Sequence, residues 1–164
     1  MAKSCCNKAC IVQGEKYRFS VLTPFMMRME YSETGVFEDL QTQTVLNREF
    51  PVPEYSVTQS DDRLEIETEA FHMIYDKKKF REKGLFIDVK YDFTNYGGRW
   101  YFGAKTYSFP PREHNLKGTM RTLDRADGEV ELEYGLMDKS GRTFFDDSKS
   151  FVFDEENMPS KRKH

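Results

Sequence analysis

The chain has 164 residues, 15% of them aromatic and 32% charged, with a net charge of −3. Such a length supports one core that buries roughly 70% of the unfolded surface, and the aromatic content excludes a disordered chain. The acidic balance excludes a counterion-releasing basic face, so nucleic acid is not an expected partner. No apolar run approaches the roughly 20 residues of a membrane span.

Residues 1–13 read as a flexible N-terminal tail. The tail lacks the apolar stretch of a secretory signal, so the expected compartment is the cytoplasm. It holds all three cysteines, Cys5, Cys6 and Cys10. Three thiols suit a soft metal, but no fourth Cys or His follows nearby. The expectation is reduced, mobile thiols, with no disulfide framework, no metal and no cofactor.

Period two dominates from there. In Lys16–Leu22, Tyr17, Phe19 and Val21 share a face. After Pro24, the residues Phe25, Met27, Met29 and Tyr31 share a face opposite Met26, Arg28 and Glu30. Ser32–Gly35 is a turn. Val45–Val52 reads as a short irregular strand closed by Pro51 and Pro53. Tyr55–Gln59 and Arg63–Glu69 flank Ser60-Asp61-Asp62 as a hairpin, the second strand running on through Phe71, Met73 and Tyr75. Its Leu64, Ile66 and Thr68 point inward, against three glutamates on a wet face. Asp76–Lys79 is a charged turn. Leu85–Thr94 alternates most regularly and is broken by Asn95-Tyr96-Gly97-Gly98.

Asn115–Gly128 is a polar loop, too long for an ordinary connection and therefore a candidate for function. Glu129–Glu133 alternates again, Asp138–Gly141 is a turn, and Phe144-Phe145 and Phe151–Phe153 read as two short strands. Residues 155–164, ending in Lys161-Arg162-Lys163-His164, read as a frayed C-terminal tail. No segment of a dozen residues shows a 3.6-residue period. The expected fold class is all-β, with antiparallel strands in a sandwich or a barrel, which spacing alone leaves open.

Glycoside hydrolysis requires two carboxylates across the scissile bond, about 5–9 Å apart. Asp146-Asp147 are strand neighbours pointing to opposite faces, so they read as a turn or strand-edge pair. Asp124 and Asp127, three apart in the polar loop, have the spacing to converge. No serine occupies a nucleophile elbow, and no glycine spacing suits a phosphate loop. Trp100, the one tryptophan, lies among Tyr96, Tyr101, Phe102 and Tyr107. It either stacks on a sugar or belongs to the core. His72, mid-strand between Phe71 and Met73, reads as a structural histidine.

Two long stretches resemble the N-terminal β-sandwich domain of glycoside hydrolase family 31, the α-glucosidase and α-xylosidase type enzymes. The first is EKYRFSVLTPFMMRMEYSETGVFEDLQTQTVLNREFPVP, and the second NLKGTMRTLDRADGEVELEYGLMDKSGRTFFDDSKSFVF. The likeness spans roughly residues 14–153. It implies a galactose-mutarotase-like sandwich over 14–154. That domain would pack on a catalytic (β/α)8 barrel of the same enzyme and lend a loop to the rim of its substrate pocket. It also implies that the catalytic aspartates lie in the barrel, and that this chain stops short of it. Lys117 stands where the family commonly has glycine, and Arg142 where it has tryptophan.

The resemblance makes Arg121, Asp124 and Asp127 candidates for fixing the polar loop or for bonding sugar hydroxyls. Trp100 is a further candidate at the rim. The expected function is a non-catalytic domain supporting an O-glycosyl hydrolase, with an α-linked oligosaccharide as a possible ligand. A stand-alone carbohydrate-binding module is the alternative. A third reading is a structural fragment that associates through an apolar face.

Overall fold

The computed structural model describes residues 6–90, 98–103, 115–118, 127–128, 130, 132, 135–138, 142–154, 156 and 158–162. The described residues form ten β-strands in antiparallel sheets, with one 3-10 turn and no α-helix. The fold is therefore all-β, as period two requires.

One sheet has three strands, β1 (Ile11–Gln13), β2 (Tyr17–Thr23) and β3 (Met26–Tyr31), in that order. A second has five, β4 (Ser56–Gln59), β5 (Leu64–Glu67), β6 (Phe71–Tyr75), β7 (Leu85–Val89) and β8 (Arg99–Tyr101), each paired with its sequence neighbours. A short pair, β9 (Val152–Phe153) and β10 (Pro159–Ser160), lies in the C-terminal part.

The two larger sheets share one core. Tyr17, Phe19 and Val21 of β2 pack with Leu64, Ile66, Met73, Tyr75, Leu85 and Trp100 of the other sheet. Phe80, from the turn after β6, reaches into this core and contacts Phe19, Tyr31, Tyr75 and Phe102 with ring centroids 5.3–5.7 Å apart. Such stacked, tilted and edge-on contacts each add roughly 0.5–1.5 kcal/mol beyond area burial.

Several expectations are corrected. Residues 1–13 are not simply a tail: Lys8–Cys10 form the 3-10 turn, capped by Asn7, and Ile11–Gln13 form β1 on β2. Cys6 and Cys10 are free thiols but buried, so they are not mobile. Val45–Val52 makes no strand. There the side chains of Thr42 and Asn47 take the Val45 and Glu49 N–H groups, and Arg48 is drawn inward. The strand expected from Arg63 through Tyr75 is two strands, because Thr68 turns the chain. Its N–H donates to the Phe71 carbonyl, and its Oγ1 accepts from the Ala70 and Phe71 N–H groups. Phe25 is 69% exposed at the β2–β3 turn, while Met27, Met29 and Tyr31 pack on the core. Phe144 and Phe145 lie outside any strand. In 155–164, β10 and a bonded Arg162 replace the expected frayed end.

Candidate functional site

Strand β2 is buried on both faces. Its inward face fills the core, and its other face presents Arg18 and Ser20, also buried. A buried guanidinium must be paired and hydrogen-bonded, or folding carries its desolvation cost. Register supplies the partner, since Arg18 lies opposite Glu30 on β3. The Arg18 Nε donates to Glu30 Oε2 at 2.6 Å and its Nη2 to Oε1 at 3.1 Å, a two-pronged fork. Nη1 donates to Asp39 Oδ1 at 2.7 Å, and Nη2 also to the Glu38 carbonyl. The remaining face of the guanidinium rests on the Phe37 ring, 5.0 Å from its centroid.

Arg28 approaches the same carboxylate, its Nη2 lying 2.8 Å from Glu30 Oε1, and its Nη1 donates to the Glu38 carbonyl. Burial pushes its pKa down to about 10. Glu30 opposes that shift, and the charges of Arg48, Arg18 and Arg162 add to it. Arg48 is 1% exposed. Its Nη1 donates to the Leu40 carbonyl at 2.8 Å, and its Nη2 lies 3.7 Å from Asp147 Oδ2.

Asp147 carries the network to the far end of the sequence. Its Oδ1 accepts from Thr42 Oγ1 at 3.0 Å, and Arg162 Nη2 donates to both its carbonyl and its Oδ2. Thr42 bridges to Val152, and the Gln43 and Phe153 N–H groups donate across the same seam. The segment from Val36 to Phe50 is thus held between the back of β2–β3 and the C-terminal residues.

A cleft lined by Cys6, Ile11, Arg18, Ser20, Arg28, Asp39 and Arg48 opens on this network, with a volume of about 10 Å³. That is room for about one water, far below the roughly 300 Å³ of a ligand pocket. Glu30, Asp39 and Asp147 each face a guanidinium within salt-bridge distance, and a Glu38 oxygen accepts from the Leu40 N–H. No carboxylate of the network is placed as a general acid opposite a nucleophile. Its chemistry is that of an ionic lock.

The base of the polar loop is a second constellation. Asn115 donates from Nδ2 to the Gly135 carbonyl and accepts at Oδ1 from the Gly135 and Lys117 N–H groups. Gly135 cannot carry a side chain here, because a Cβ would lie 2.7 Å from the Lys117 carbonyl oxygen. Lys117 itself has a φ of +57°, the conformation that glycine adopts freely.

Of the expected site residues, Arg121 and Asp124 lie outside the described residues. Asp127 is exposed. Trp100 is not at a rim: it is 8% exposed on β8. Its ring lies 5.3 Å from Phe144 and meets Phe102 edge-on. It belongs to the core cluster, which favours the core reading over sugar stacking. His72 bonds Glu65 at 2.7 Å on the wet face of the five-stranded sheet. Asp146 accepts from the Ser148 N–H in a turn, and the Ser148 hydroxyl, together with that N–H, holds its carboxyl below the usual range. The ionic lock was missed by periodicity, which assigns Arg18, Ser20, Arg28 and Glu30 to a solvated face. The signal available was opposite charge at positions facing across the β2–β3 hairpin. Comparison of the chain with protein-family models and with curated proteins returns no match.

Proposed function

We propose that the chain is a non-catalytic β-sandwich domain of an α-glucosidase-like glycoside hydrolase. It packs on the catalytic (β/α)8 barrel and lends the Asn115–Gly128 loop to the rim of the substrate pocket. One observation carries the reading. Arg28 and Glu30, Glu38 and Asp39, Arg48 and Asp147 come from separate pieces of the two family-like stretches, and they meet in one buried network. Convergence is expected if the likeness reflects a shared architecture. Asn115 and Gly135, both in the second stretch, meet in the same way.

Large apolar side chains left in solvent, among them Phe25, Leu46, Leu136 and Met137, accord with a surface that another domain covers. The alternative, a stand-alone carbohydrate-binding module, loses its principal stacking residue with the burial of Trp100.

Calorimetric titration of the purified chain with maltose and isomaltose separates the two. The expected result is no measurable heat of binding, and an in-frame or adjacent barrel-coding segment in the DNA beyond the codon for His164. Saturable binding by the isolated chain would replace the proposal with the module.

A further inference from the structure

Strand β4 is the outermost strand of the five-stranded sheet, and all four of its residues are exposed. Sheet edges are ordinarily protected by charge, proline, a bulge or a covering loop. Between Tyr55 and Ser60 the chain carries neither charge nor proline.

The hydrogen-bond parity of this edge follows from the hairpin. Ser60 N–H donates to the Arg63 carbonyl at 2.9 Å, which makes these two a hydrogen-bonded pair. Such pairs alternate along an antiparallel ladder. With Thr58 opposite Glu65 and Ser56 opposite Glu67, Thr58 and Ser56 direct their backbone groups to β5. Tyr55, Val57 and Gln59 turn theirs outward, and among the described residues no backbone bond meets them. Val57 lies opposite Ile66 and so on the core-side face, yet it is 43% exposed while Ile66 is fully buried.

We infer that this edge pairs antiparallel with the same edge of a second copy, about a two-fold axis through Val57. An antiparallel pair of identical strands is isologous, so one edge completes the other. With Val57 facing Val57, Tyr55 faces Gln59 of the second copy, and every outward N–H and C=O of these residues finds a partner. Other registers are worse. A slip one way sets Glu54 against Asp62, two carboxylates. A slip the other way sets Gln59 against Pro53, which has no N–H to give. In the favoured register the two Val57 side chains also cover one another. The contact is small, so the dimer is a weak one that forms as concentration rises.

Sedimentation velocity of the full chain over a wide concentration range tests this. The native chain should shift from monomer to dimer, and Val57→Lys, at an exposed edge position outside the core cluster, should stay monomeric with an unchanged circular dichroism spectrum. Register is read by cross-linking. Across a hydrogen-bonded pair the Cα atoms are about 5.5 Å apart, within disulfide reach. Under a mild oxidant Val57→Cys should therefore form a covalent dimer several-fold faster than either Ser56→Cys or the native chain. A native chain that is monomeric throughout overturns the inference. So does a dimer that survives Val57→Lys, or a Ser56→Cys chain that cross-links as fast as Val57→Cys.

Discussion

Lys117 holds a left-handed backbone conformation, φ +57°, beside a carbonyl that Gly135 approaches closely. A side chain in that conformation costs about 1–2 kcal/mol, and glycine gives back part of the gain through unfolded-state entropy. Lys117→Gly should raise stability by about 0.5–1 kcal/mol, measured by urea unfolding. A loss of stability would show that the lysine side chain contributes more than its backbone strain costs. The family resemblance flags this position, but only coordinates show that the departure falls on a residue with positive φ. Trp100 teaches the opposite lesson. Its aromatic neighbourhood was legible in the sequence, but whether a ring faces solvent or core depends on which strand carries it. Here β8 sets it opposite Ile87.

At the scale of elements, alternation identified β2, β3, β5, β6 and β7, since each sets apolar side chains on a face that has another sheet to cover it. It failed where side chains replace ladder bonds. Thr68 ends β5 without the glycine or asparagine that announces a hairpin. Its buried hydroxyl accepts two backbone N–H groups and donates to the Pro24 carbonyl at 2.7 Å, which ties the β5–β6 turn to the β2–β3 turn. Thr68→Val keeps the branched shape and strands those groups, so it should cost about 1–3 kcal/mol. Thermal unfolding checks it, and a change under a few tenths of a kcal/mol would mean that water replaces the hydroxyl. Strand β1 went unread because three residues are too few to show a period. The ionic lock went unread because its partners are supplied by a loop and by the far end of the chain.

Across the whole molecule, alkaline pH should unfold the protein through its core phenols. Burial raises the Tyr75 pKa well above its ordinary value, helped by the charge of Asp76, and burial alone raises Tyr17. Both stay neutral in the folded state. The stability they contribute is fully present below about pH 10, the unfolded tyrosine value, and is lost as pH climbs through and above it. Absorbance at the phenolate band and far-UV circular dichroism, followed together, should show at least two of the nine tyrosines ionising only as the sheet signal collapses. Ionisation of all of them ahead of that collapse would contradict the packing described.

The reading as a bracing domain rests on the family-like residues being architecture, and Glu30 is where that is most exposed to test. Its carboxylate serves both Arg18 and Arg28 and is 13% exposed. Glu30→Gln keeps the shape and removes the charge. Urea unfolding followed by the fluorescence of Trp100 should show a loss of about 3–5 kcal/mol, the consequence of leaving buried guanidinium charge uncompensated. A loss under about 1 kcal/mol, the range of a surface ion pair, would contradict the account.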